Sequence, residues 1–310
     1  MHYTFHAVYF SLFSFLAAWR LTKVIWQQLP QVGIPAVMAF LFFPSCVFWA
    51  SGITKEALAM TGLYFVAALF LQIWWKQKIS VINIVTAIFM IWVTWNLKYY
   101  YIGLLMPILV TTWVTQKIAT MRRIESFFKE TLVWFSVLIV TTLLASLAHP
   151  NFALDRIMGV LVTNNVLSLQ VSNPDNVIHF YQLTDTWWSM ALNAPWALIS
   201  GLFRPFVWEA DSLLKLIVAA ENLILLALVA MSLRYWREIK NSPHRLLVLA
   251  VIVYTVVLCV FLSISTPNFG TLMRYRIGFL PFLMVLLVNQ PWLVRTLAKL
   301  FNVHIADLSR

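Results

Sequence analysis

Long apolar runs, each bounded by charge, recur along the whole chain and leave it one kind of solvent. Reading from charge to charge gives runs at 3–19, 32–49, 57–75, 80–97, 99–115, 130–148, 212–233, 246–264 and 277–294. A helix crossing a bilayer needs about 20 largely apolar residues, because ~30 Å of hydrocarbon is covered at about 1.5 Å per residue. The runs therefore predict an all-α polytopic membrane protein with about nine transmembrane helices. Of the 310 residues, 62% are hydrophobic and 11% charged. A soluble domain would carry ~25% charge, so a water-soluble globule is excluded. Fifteen Trp, 23 Phe and 10 Tyr suit the two lipid–water boundaries as well as helix packing.

The net charge of +11 is mostly topological rather than a nucleic-acid signature. Arg20, Lys23, Lys76, Lys78, Lys117, Arg122, Arg123, Lys129, Arg234, Arg237, Lys240, Arg245, Arg295, Lys299 and Arg310 fall in alternate connections. Cytoplasmic loops retain such residues, so this side is the expected cytoplasmic one. Lys55, Lys98, Arg156, Arg204, Lys215, Arg274 and Arg276 fall on the other side with Glu56, Asp155, Asp175, Asp185, Glu209 and Asp211. The expected organisation is a single integral membrane domain with an outer amino terminus. Residues 1–148 hold six spans, 149–211 an outer loop with amphipathic helices lying in the membrane surface, and 212–310 three spans and a short cytoplasmic tail. In the loop, Asp185 is the expected N-cap of the second helix. Pro35 and Pro44 interrupt the second run, as in helices that line a cavity.

Four outer segments pair ionisable residues with turn formers. In the first, residues 43–56, Thr54 or Ser51 could cap a new helix whose amides, with Lys55 beside them, suit a phosphate. Glu56 follows as an acid candidate. In the second, Lys98, Tyr99 and Tyr100 offer an aromatic belt with a snorkelling lysine, or contact with a sugar or headgroup. The third, residues 201–211, turns at Pro205 and could return Arg204 to Glu209 or Asp211 as an ion pair. The fourth, residues 266–276, places Arg274 and Arg276 at the mouth of a helix, where guanidinium forks suit bidentate phosphate contacts. Glu221 lies about ten residues into its span, roughly 15 Å deep. There a carboxylate costs about 2.5 kcal/mol or more, so it and Asn222 read as a packing pair or a proton relay.

Other chemistries find no motif. The six histidines show no ligand spacing, and His2 and His6 have no carboxylate near them in sequence. Cys46 and Cys259 lie in apolar runs without metal or redox spacing. A phosphate-cradling glycine loop, a nucleophile elbow and a dinucleotide fingerprint are all lacking.

The segment Phe43 to Leu58, FPSCVFWASGITKEAL, resembles the Pro-Ser-x-x-x-Trp-x-Ser-Gly-x-x-Lys-Glu stretch of bacterial membrane proteins related to the GT-C glycosyltransferases. GLFRPFVWEA at 201–210, ENL at 221–223 and RYRIGFLPFL at 274–283 are similar to later segments of that group. The resemblance implies transfer of a sugar from a polyprenyl-phosphate carrier at the outer face of a bacterial inner membrane, in cell-envelope polysaccharide chemistry. Lys55, Arg204, Arg274 and Arg276 would bind the phosphate. Glu56, Asp185, Glu209 and Asp211 are the candidates for the catalytic base. Such enzymes carry their acid in a long first outer loop that this sequence does not show. The expectation is thus an incomplete or inactive chain, a misplaced start, or a companion chain supplying that part. No cofactor is predicted, a divalent metal stays open, and no nucleic acid is expected. The alternatives are a non-catalytic channel, flippase or scaffold in polysaccharide export or assembly, or a polysaccharide polymerase.

Overall fold

A computed structural model describes residues 2–235 and 240–303, with side chains from residue 6 onward. The topological assignments of Arg237 and Arg310, and the side chain of His2, fall outside the described residues. The described chain is helical, its one bridge joining Val177 to Asn268. Six helices are long and apolar enough to cross a bilayer, or seven if Phe269–Gly278 and Leu280–Val288 make one crossing. That suits a polytopic integral membrane protein, with fewer uninterrupted spans than the nine apolar runs suggest.

Proline breaks and the joining of two runs in one long helix account for the difference. The second run is cut into α2 (Pro30–Val37), a π-helical turn at Met38–Phe42 and α3 (Pro44–Trp49). Pro44 cannot donate to the preceding turn, so a new helix starts there. The fourth and fifth runs merge in α5 (Val81–Arg122), which carries a non-helical Lys98 with φ −149° and ψ 67°. The ninth ends early, at α12 (Leu280–Val288), because Pro291 opens α13 (Pro291–Leu300).

The chain forms two compact units. The first comprises Met1–Gly103 and Ile277–Arg310. In it α1 (His2–Gln28) packs along α4 (Lys55–Trp74). Ala17, Ala18, Leu21, Val24 and Ile25 recur at helical spacing and are buried. Arg20 fixes one end by donating to Asn83 Oδ1 at 3.0 Å and Gln72 Oε1 at 3.2 Å. At the other end Gly52, with φ +82°, turns the chain in a conformation that glycine adopts without strain, and its N–H donates to Ser11 Oγ at 2.9 Å. Thr54, not Ser51, caps α4 by accepting from Ala57 N at 3.1 Å. Gly62 allows α5 to approach, since a Cβ there would sit 1.9 Å from Thr94 Oγ1.

The second unit is Leu104–Arg276. Its centre is α10 (Arg245–Ser265), packed by α7 (Ile157–Gln170) and α8 (Trp187–Phe203). Met158, Leu161, Met190, Ala197 and Ile264 form one apolar cluster between these three helices. Asn165 Nδ2 donates to the Ile264 carbonyl at 2.6 Å. Gly201 lets α8 close on α10, because a Cβ there would meet Ser263 Oγ at 2.1 Å and Cys259 Sγ at 2.6 Å. The expectation for Asp185 is corrected here. Thr186 is the N-cap of α8, its Oγ1 accepting from Ser189 N at 3.2 Å, while Asp185 is exposed one residue outside. Also in this unit are α6 (Phe127–Ser146), α9 (Leu213–Ser232) and the short α11 (Phe269–Tyr275). The indole of buried Trp134 on α6 donates to Thr112 Oγ1 at 3.1 Å. Glu130 at the start of α6 pairs with Arg245, whose Nη2 also donates to the Glu125 carbonyl at 3.0 Å.

Candidate functional site

In the first unit the capped start of α4 separates two neighbouring charges. Lys55 points outward and is exposed, whereas Glu56 turns inward against Lys98, with Oε1 3.1 Å from Nζ. Their side chains are 3% and 7% exposed respectively, so both ions have left water. A snorkelling Lys98 is therefore corrected: at the break in α5 the ammonium is drawn to a carboxylate instead of to the headgroups. Its Nζ lies 5.7 Å from the Tyr100 ring centroid, and Tyr99, Tyr100 and Tyr101 meet edge to face at 5.5 and 5.0 Å. Sequence spacing carried no signal for this pair, because its members sit on different helices.

In the second unit the third and fourth segments meet. Past the end of α8, Arg204 Nε donates to Glu209 Oε1 at 3.0 Å and Oε2 at 3.2 Å, and Nη2 adds a further contact. Glu209 also accepts from Phe206 N at 2.8 Å, which closes the turn around Pro205. The guanidinium lies over the rings of Phe269, at 4.7 Å, and Trp196, at 5.7 Å. The pair is thus the ion pair that a turn at Pro205 allows, held by aromatic faces.

Asn222 of α9 links this turn to the fourth segment. Its Nδ2 donates to the Pro205 carbonyl at 3.0 Å, and its Oδ1 accepts from Arg276 Nη1 at 2.7 Å. Arg276 Nη2 stands 3.9 Å from Glu221 Oε2. Arg276 is 1% exposed, so its charge depends on these neighbours for what water would have supplied. Arg274, at the end of α11, is half-buried, lies 5.2 Å from the Tyr275 ring centroid and donates to the phenol oxygen at 3.5 Å. Glu221 and Asn222 therefore belong with the arginine segment, a grouping the sequence did not signal.

Asp211 stands in a surface triad of the same unit. Its Oδ2 accepts from Lys215 Nζ at 2.6 Å and from Asn176 Nδ2 at 3.4 Å, while Lys215 also donates to Asn176 Oδ1 at 2.7 Å. The Lys215 hydrogen bond, assisted by Asn176, holds the Asp211 carboxyl below the usual carboxylate range. Of the four acid candidates, Glu56, Glu209 and Asp211 face cations, and Asp185 is exposed on a loop. Among the described residues no three His, Cys, Asp or Glu side chains gather as a metal site.

Chemically, the arrangement in the second unit is a charge-paired one built on arginine. Arg204 and Arg276 set two guanidiniums against the carboxylates of Glu209 and Glu221, and Arg274 lies against Tyr275. A guanidinium presents a planar fork of donors that suits a carboxylate or a phosphate. No protein-family model matches the chain, and no curated protein or solved structure matches it either.

Proposed function

We propose that the chain is a nine-pass, glycosyltransferase-like membrane protein that holds the phosphate of a polyprenyl-phosphate-linked sugar at the arginine cluster of its second unit. The observation that carries this reading is the joining of the turn at Arg204–Pro205 to Arg276 through the Asn222 amide. It draws the turn of 201–211, Glu221, Asn222 and Arg276 into one network of two guanidiniums and two carboxylates, with Arg274 two residues before Arg276. In this reading Arg274 meets the incoming phosphate, while Glu209 and Glu221 hold Arg204 and Arg276 in place. Lys55, exposed at the capped start of α4 in the first unit, is a candidate phosphate contact of its own. Asp185, Glu209 and Asp211 stay as candidates for acceptor activation within this unit.

The test is Arg274→Gln in the full-length protein, with polyprenyl phosphate titrated in detergent. Losing a charge-assisted phosphate contact is expected to weaken binding about tenfold or more. Unchanged affinity in a folded variant overturns the assignment.

A second reading is a non-catalytic scaffold or transport component of polysaccharide export. It is favoured by the engagement of Glu56, Glu209, Asp211 and Glu221 with Lys98, Arg204, Lys215 and Arg276. Glu221→Gln separates the two. A proton-coupled transporter loses function, whereas a transferase keeps its turnover if Arg276 stays in place.

A further inference from the structure

One end of the first unit carries cations almost without acids. The only acidic side chains in this unit's sequence are Glu56 and Asp307. Glu56 faces Lys98, at the other end of α4, and Asp307 lies outside the described residues. Arg20 ties the end of α1 to Gln72 and Asn83, on either side of the exposed Lys76 and Lys78. Lys23 is exposed on the next turn of α1. Trp26, about 9 Å beyond Arg20 along the helix axis, packs against the cluster of Ile34 and Ala298, as do Val294 and Leu297 of α13. Lys23, Lys76, Lys78, Arg295 and Lys299 thus share one end of the unit.

The face of α13 turned away from Ile34 has the composition of an interfacial helix. Trp292, Arg295, Thr296 and Lys299 fall at i, i+3, i+4 and i+7, and all four are exposed. Beside Lys78 the surface becomes apolar at once, with Val81 and Ile82 at the start of α5 exposed to 74% and 76%. A cationic belt bordering such a surface marks where headgroups meet hydrocarbon. An acidic soluble partner would match the charge and leave the apolar border bare.

We infer that this end of the first unit is a docking surface for the headgroups of anionic phospholipids, read by Lys76, Lys78, Arg295 and Lys299 with α13 lying in the interface. Each cation near an anionic leaflet contributes about a fivefold gain in binding, diminished by salt.

The experiment uses the full-length protein, equilibrated with equimolar phosphatidylglycerol and phosphatidylcholine, and counts retained lipids by native mass spectrometry. The wild type is expected to retain phosphatidylglycerol in about tenfold preference at low salt, with the preference shrinking as salt rises. The variant Lys76→Gln/Lys78→Gln/Arg295→Gln/Lys299→Gln is expected to fall to near parity. Arg295→Gln/Lys299→Gln alone should lie between, and serves if the fourfold variant does not fold. Parity in the wild type overturns the inference, as does an undiminished preference in a folded variant.

Discussion

Lys98 and Glu56 face one another across 3.1 Å with almost no water on either side. The ammonium sits at the one non-helical residue inside α5, so the break in that helix and the buried charge coincide. Within the first unit this contact fixes α4 to the interrupted stretch of α5. Taking both ions from water costs several kcal/mol apiece, which their attraction only partly offsets.

Removing one member of that pair leaves the other charge buried alone. Glu56→Leu and Lys98→Met are each expected to destabilise the protein by about 3–5 kcal/mol. The double variant should recover most of the loss. Thermal unfolding of the purified protein in detergent reads all three. Additive losses in the double variant would show that the two side chains do not depend on each other.

At Gly201 the limit is space. A methyl group there meets Ser263 Oγ and Cys259 Sγ well inside contact distance, so Gly201→Ala should cost about 1–3 kcal/mol. Adding Ser263→Ala should return part of it. A neutral Gly201→Ala in the same unfolding assay would mean that α8 and α10 are less closely packed.

Asn222 satisfies two buried groups at once, the Pro205 carbonyl and the Arg276 guanidinium. Asn222→Leu keeps the volume and removes both bonds, with an expected loss of about 1–3 kcal/mol. If Arg276 is held for anion binding, polyprenyl-phosphate affinity should fall with it. Preserved stability together with preserved affinity would remove Asn222 from the network.

The Asp211 triad sets an acid dependence. Its folded-state carboxyl is depressed by Lys215 and Asn176, so its contribution to stability is present above the ordinary carboxylate range. That contribution is lost as pH falls through the lowered folded-state value. Because Asp211 is exposed, the effect is small and weakened by salt. Asp211→Asn should flatten this part of a stability-against-pH curve measured at low salt, and an identical slope would contradict it.

Much of the helical layout is legible in the residue pattern, because each apolar run must bury itself in one stretch of backbone. A cap at Thr54 or Ser51 and a turn returning Arg204 to Glu209 or Asp211 are legible too, since both act over a few residues, and the backbone selects Thr54 and Glu209. Partners across helices are not. Nothing near Lys98 in sequence indicates Glu56, and a lysine flanked by three tyrosines has the local character of an interface residue. Arg276 likewise reads as an outward cation until Asn222 and Glu221 are seen beside it. Asp185 is the better cap type by residue preference, yet the backbone starts the helix so that Thr186 caps it. Pro291 shortens the last run because hydropathy counts side chains, whereas a helix also needs its amide donors.

The distance along the chain between Glu221 and Arg276 also bears on biogenesis. When α9 leaves the ribosome, the cation that later faces its carboxylate has not yet been translated. Until α10 and α11 follow, α9 carries that carboxylate without Arg276, at a cost of about 2.5–3.5 kcal/mol near the bilayer centre that its many Leu and Ile side chains offset. The polar packing of α9 is therefore completed late, and a chain truncated before residue 276 would carry Glu221 without its guanidinium partner.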